Sequence, residues 1–188
     1  MSSNKNNIST SLKKSLSRNL TSDDFSETDL LEKFEDTKKQ LIKTGVDSVP
    51  KQRIKYHEKK DFINKGSFGA VYKCKLKGKG FDKLEMAVKI MAYNPTVSMN
   101  QICNELKLQN MAQGNEFVVK LYRFSLCLDL TIMLVMEFCP TDLIKYTEQE
   151  VGLVKNGLEY CYRLDAIFDK CFQALEFIHD QEIIHRDI

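Results

Sequence analysis

Four groups of residues carry types and spacings that chemistry could use. The first is the run Ile63-Asn64-Lys65-Gly66-Ser67-Phe68-Gly69-Ala70-Val71, in which Gly66 and Gly69 let backbone amides approach a phosphate chain with no side chain in the way. Alone, two glycines between strands also describe a plain hairpin. The second is Lys89, set inside the apolar run Met86-Ala87-Val88-Lys89-Ile90. An ammonium alternating into such a strand is unfavourable unless an anion meets it or it reaches solvent. The third is Glu105, on the helix expected next: a Lys-Glu pair can hold the ammonium pointed at phosphate oxygens, although an exposed helix glutamate is the plainer alternative. The fourth is His185-Arg186-Asp187, delivered by the apolar pair Ile183-Ile184 into a loop. An aspartate so placed can accept a hydroxyl proton or align a nucleophile.

Positioning these groups takes strands and one helix. Strand patterns over 61–63 and 70–76 flank the glycine loop, and a third over 84–91 follows the turn Lys77-Gly78-Lys79-Gly80. A helix over about 97–111 lies between Pro95 and Gly114, and two further strands are expected over 117–126 and 131–138. After Pro140 the chain turns helical, and over 158–179 the residues Cys161, Leu164, Ile167, Phe168, Cys171, Phe172, Leu175 and Ile178 fall on one face, the pattern of a core helix.

Upstream, residues 1–20 hold six Ser, four Asn, four basic residues and no acid, the composition of a disordered tail, taken to run to residue 27. Ile8, Leu12, Leu16 and Leu20 recur every four residues, so an induced amphipathic helix, or a presequence-like pattern, is the competing description. Residues 28–44 predict a helix through Leu30, Leu31, Phe34, Leu41 and Ile42, interrupted by the polar Thr37 and Lys38 and ended by Gly45. That helix packs either on the following domain or on a protein partner. Residues 46–60, with Pro50 and the basic Lys51, Arg53, Lys55, Lys59 and Lys60, are expected to be a linker running into a strand. The organisation expected is therefore a tail over 1–27, a helix and basic linker over 28–55, a sheet-bearing unit over 56–139 and a helical continuation over 140–188.

Composition narrows the classes. The 188 residues suit one domain, and 28 Lys plus Arg against 26 Asp plus Glu, a net charge of +2, give no global pull toward nucleic acid or membranes. The longest apolar run, 132–136, is closed by Glu137 and is far too short to span a bilayer. Cys74, Cys103, Cys127, Cys139, Cys161 and Cys171 are unevenly spaced with no Cys-x-x-Cys pair. That usage, with no apolar secretory leader and Ser2 where myristoylation needs Gly, suits a reduced intracellular protein of the cytoplasm or nucleus.

From about residue 56 onward the sequence resembles the eukaryotic protein kinase family. The matches, in order, are Gly66, Gly69 and Val71 in the loop, Ala87-Val88-Lys89 in the strand, Glu105 in the helix, and His185-Arg186-Asp187. The resemblance implies an α+β fold: a kinase-like small lobe, a five-stranded antiparallel sheet plus one helix, followed by the first helices of a helical large lobe. It implies ATP as cofactor, with Mg²⁺ in the complete enzyme, and a protein substrate phosphorylated on a hydroxyl, Ser/Thr in the commoner branch. Lys89 would contact the α- and β-phosphates while Glu105 holds it, and Asp187 would serve the substrate hydroxyl. The loop Ile63 to Val71 would cover the nucleotide, with Val71 and Ala87 as an apolar ceiling and Met136 as the gatekeeper behind adenine. Glu137 and Cys139 would offer backbone groups to adenine, and Asp142 a carboxylate to the ribose.

The departures matter as well. Asn64 replaces the first loop glycine, and Gln109 stands where the family usually places an apolar residue packing against the activation segment. The sequence stops at Ile188, before the metal-binding Asn, the Asp-Phe-Gly motif and the rest of the large lobe. The chain by itself is therefore expected to be inactive, an incomplete portion of a kinase with its Mg²⁺ ligands beyond Ile188 and much of the 158–179 helix face uncovered. A non-catalytic kinase-like binding or regulatory module, working through the small lobe and the helix at 28–44, is the alternative.

Overall fold

The computed structural model describes residues 27–66, 69–81, 83–91, 99–127, 131–153 and 157–185. Residues 1–26 of the expected tail, Ser67, Phe68 and Asp187 lie outside them, and Glu27, taken as the end of that tail, opens a helix.

A helix α1 (Glu27–Ile42) leads through a single 3-10 turn (Lys51–Arg53) into strands β1 (Ile54–Lys55), β2 (Phe62–Gly66), β3 (Gly69–Leu76) and β4 (Met86–Met91). Helix α2 (Met99–Met111) follows, then β5 (Leu121–Leu126), β6 (Ile132–Glu137), α3 (Leu143–Leu153) and α4 (Gly157–Asp180). All the strand pairings are antiparallel, in the order β1-β3-β4-β6-β5, with β2 also on β3. The expected five strands are present, and β1 is an addition. It and β2 occupy successive stretches of one edge of β3, Ile54 opposite Leu76 and Phe62 opposite Tyr72. They are separated by residues 56–61, where the Asp61 carboxylate accepts the His57 N–H at 2.7 Å and the Asp61 carbonyl accepts from Lys73 N–H at 2.7 Å.

Side chains alternate across a strand, so the sheet has two cores. On one face Met86 and Val88 of β4 join Met133 and Val135 of β6 with Cys74, Leu76, Val49 and Ile54, roofed by Tyr56, Tyr72, Phe81 and Tyr122. On the other, Met91, Ile132 and Leu134 pack with Ile102, Cys103 and Leu106 of α2 and with Leu41 of α1. Ala87 and Lys89, four and two residues before Met91, belong to this second face.

The region expected to be a linker is ordered. Val49 N–H donates to the Phe124 carbonyl at 2.7 Å and Phe124 N–H to the Asp47 carbonyl at 3.1 Å, a parallel bridge on the free edge of β5. Arg123 and Asp47 add an ion pair at 3.3 Å. The buried stripe of α1 also differs from expectation. Thr37, read as an interruption, is 2% exposed beside Leu41 at 0%, whereas Ile42 is 60% exposed. A threonine can be buried on a helix because its hydroxyl can bond back to the preceding turn.

Helix α4 has the apolar face that its periodicity predicted, and much of that face is uncovered, as expected. Among its described residues only Ile178 is buried, while Leu158, Tyr162, Phe168 and Phe172 are exposed. Its C-terminus is closed by two bonds, Glu182 N–H to the His179 carbonyl at 2.8 Å and Ile183 N–H to the Ile178 carbonyl at 2.9 Å, with Glu182 at φ 59°. This is the paired-bond ending in which a left-handed residue stops a helix and the next packs back on it. Ile183 does so, beside Ile178 and Ala112, whereas Ile184 is 70% exposed, so one isoleucine rather than the pair anchors the segment entering His185. No helix among the described residues is long and apolar enough to cross a membrane.

Candidate active site

The glycine loop is the tip of the β2–β3 hairpin, where Gly66 and Gly69 face each other. Gly69 is there of necessity. It sits at φ 151°, and a Cβ on it would lie 2.1 Å from the Ile90 carbonyl oxygen. At Gly66 a Cβ would meet nothing within 4 Å, so open space adjoins the hairpin there. A bulge between Phe62 and Asn64 re-aims β2, leaving Ile63 as its half-buried residue while Phe62, Asn64 and Lys65 are exposed. Asn64, the departure from the glycine pattern, pairs with Val71 and uses its side-chain oxygen to accept the Lys65 N–H at 2.8 Å.

Below the hairpin the register brings the expected residues together. Val71 lies opposite Lys89, and Ala87 opposite Met136. Lys89 lies opposite Leu134, which is fully buried, so its ammonium sits on a largely apolar face. Glu105, on the flank of α2 beside the buried Ile102 and Leu106, reaches across to it, and Lys89 Nζ donates to Glu105 Oε1. The two side chains are 23% and 39% exposed. An ion pair this accessible contributes about 1 kcal/mol or less to folding. Its consequence is orientation: a cation on the cleft side of the sheet, held still.

Helix α2 is fixed at its far end by amides. Gln109 Nε2 donates to the Val119 carbonyl at 2.8 Å, and Gln113 gives to the same carbonyl at 3.2 Å while accepting the Leu121 N–H at 3.0 Å. The polar residue at 109 is thereby spent on tying α2 to the start of β5. Sequence reading assigned neither glutamine a partner; the spacing of 109 and 113, one helical turn apart, was the available signal.

At the end of β6, Met136 and Glu137 are half-buried and Cys139 is exposed. Glu137 N–H donates to the Lys120 carbonyl at 2.8 Å, so the backbone group Glu137 can offer a ring is its carbonyl. Lys73, opposite Ala87 on β3, stands at this mouth, its Nζ 2.6 Å from Glu85 and 4.4 Å from the centre of the Phe138 ring. The Cys139 thiol is pushed up from its usual value near 9.0, first by partial burial and then by the charge of Glu137. The thiolate is the reactive form, so carboxymethylation of Cys139 at pH 7 is expected to be slow. It should accelerate about tenfold per pH unit until the pH passes the thiol's raised pKa. Peptide mapping across pH 7 to 10 reads this, and a flat rate would contradict it. Cys74, pushed by burial to about 12, should stay unmodified.

Asp142, the candidate for the ribose, is exposed and has both carboxylate oxygens engaged. It is the residue before α3, its Oδ1 accepting the Lys145 N–H at 2.8 Å and its Oδ2 lying 3.1 Å from Lys145 Nζ. These bonds hold its carboxyl below the usual carboxylate range. It is a helix cap. His185 is described and exposed, and Asp187 lies outside the described residues.

A fixed lysine under a glycine hairpin, met by a helix glutamate, is the small-lobe arrangement that the sequence resemblance implied. The model of the protein kinase domain matches residues 56–188. This chain belongs to the protein kinase domain family. Its relatives within the family include a probable casein kinase I homolog of Encephalitozoon cuniculi (strain GB-M1), 30% identical over 128 residues, 67% of this chain and 37% of that protein. They also include the serine/threonine-protein kinase SBK1 of Mus musculus, 24% identical over 135 residues, 71% of this chain and 30% of that protein. A third is the sporulation-specific mitogen-activated protein kinase SMK1 of Saccharomyces cerevisiae, 26% identical over 146 residues, 73% of this chain and 36% of that protein. The chain thus spans about a third of the length of these curated relatives. Helix α1 and the segment that bridges to β5 precede the stretch that the kinase model matches.

Proposed function

We propose that the chain binds ATP between the β2–β3 hairpin and the end of β6, and that the activity it serves is transfer of the γ-phosphoryl group to a Ser or Thr hydroxyl of a protein. The observation that carries this is the Lys89–Glu105 pair on the cleft face of the sheet. A cation held there would meet the α- and β-phosphates of a nucleotide lying under the hairpin amides. Val71 and Ala87 then form the apolar lid of the adenine site, and Met136 its back wall. The Glu137 carbonyl and the Cys139 backbone are the hydrogen-bonding edge. Asp187 is assigned the substrate hydroxyl by its place in the His-Arg-Asp motif, and relatives named as serine/threonine kinases support the choice of Ser/Thr. Bound Mg²⁺ would neutralise the β- and γ-phosphate charge, and in the family pattern its ligands follow the His-Arg-Asp motif.

Titration with a fluorescent ADP tests the nucleotide site. Saturable binding that unlabelled ATP displaces, together with protection of Cys139 but not of the exposed Cys161 and Cys171 from carboxymethylation, is the expected result. Displaceable binding that leaves Cys139 fully reactive would put the nucleotide elsewhere. The 188 residues as an isolated polypeptide are expected to bind without transferring phosphate.

A further inference from the structure

Glu105 reaches Lys89 only if helix α2 sits close to the sheet. Two of its attachments have been described, the ion pair to β4 and the glutamine bonds to β5. The third comes from outside the kinase-matched residues. Leu41 of α1 is fully buried in the same cluster as Ile102, Cys103 and Leu106 of α2. Val46, just past the end of α1, is buried with them. Asn110, one turn and a step beyond Glu105, donates its side-chain N–H to the Thr44 carbonyl at 3.0 Å. Thr44 is itself closed down, its hydroxyl bonded to the Leu41 carbonyl at 2.6 Å. The segment 47–49 then anchors on the outer edge of β5 through the Phe124 bridge and the Asp47–Arg123 pair. One end of the segment grips the sheet and the other grips α2.

We infer that residues 27–49 are an intrachain clamp that positions α2, with Leu41 and Asn110 as positioning residues that keep Glu105 within reach of Lys89. The geometry favours this over a merely space-filling appendage. Leu41 touches the stripe of α2 adjacent to Glu105, and the Asn110 bond fixes the rotation of that helix as well as its distance. The segment can only bias Glu105 if it holds α2 differently from the way the sheet alone would, so releasing it must loosen α2 more than the sheet.

Native-state hydrogen exchange on the full 188-residue chain tests this without any nucleotide. In Leu41→Ala, amides of α2 are expected to exchange at least tenfold faster relative to those of β6 than in the unaltered chain. Equal acceleration of both, the mark of a residue that only adds global stability, or no acceleration of either, overturns the clamp. Should Leu41→Ala fail to fold, Asn110→Ala, which removes one hydrogen bond and leaves the core, decides by the same ratio, with about threefold expected. A second readout rests on the nucleotide reading above. Leu41→Ala should weaken fluorescent ADP binding about fivefold in the unaltered background and add nothing in a Glu105→Ala background. Additive losses overturn a role through Glu105. If Lys89→Ala leaves ADP binding unchanged in the unaltered background, the nucleotide reading fails on its own, and the exchange ratio still decides the clamp.

Discussion

Replacing Lys89 with alanine is expected to weaken nucleotide binding by about tenfold to a hundredfold, the loss of one or two hydrogen bonds to a charged group. Thermal stability should barely move. Glu105, left behind, is 39% exposed and can take up water in place of the ammonium, and a pair this accessible is worth about 1 kcal/mol or less to the fold. The expected signature is therefore a large change in fluorescent ADP affinity beside an almost unchanged melting midpoint. If midpoint and affinity fall together, Lys89 is a structural residue that happens to lie on the cleft face, and the proposed phosphate contact is lost with it. Glu105→Ala should give a smaller binding defect in the same direction, because the ammonium remains but no longer has a fixed heading.

The second large effect is structural. Gly69→Val should destabilise the chain by roughly 3 kcal/mol or more, measured as a fall in the urea midpoint with an unchanged slope. Two costs add. A β-branched residue at φ 151° is strained wherever it stands, and its Cβ would be driven to within 2.1 Å of the Ile90 carbonyl oxygen. That oxygen belongs to β4, one residue from Lys89, so relief must come from shifting the hairpin off the strand that carries the lysine. Gly66→Val, with nothing within 4 Å of its Cβ, is the contrast, and should cost far less. Equal destabilisation by the two would mean that the hairpin tip, and not the close approach to β4, sets the requirement for glycine.

The parts of the site legible in the sequence were those whose residue types conflict with their surroundings. A lysine in an apolar strand and a pair of glycines between strands each advertise a special environment, and that Ala87 and Lys89 share one face follows from strand alternation, whereas their pairing with Met136 and Val71 is set by the observed register. What stayed hidden depended on long-range packing. Thr37 is polar in every local sense and lies buried, and the run from Asp47 to Val49, basic and proline-bearing in its surroundings, pairs with an edge strand more than seventy residues later. The capping role of Asp142 went unread, although its place just ahead of a helical run was the available signal: its carboxylate accepts the Lys145 N–H. The face of α4 was legible from its periodicity, and much of it is exposed, as the sequence analysis expected.

The small cluster of Ala112, Ile178 and Ile183, flanked by Val118, Leu175 and Phe177, joins the loop after α2 to the end of α4. Residues 138–142 join β6 to α3 covalently. Force applied to the segment that enters His185 therefore has two routes, one along the covalent chain from 138–142 and one across the contact of Ile183 and Ile178 with Ala112. The second is the shorter in space, and it couples the end of α2 to the approach of His185 without passing through the nucleotide cleft.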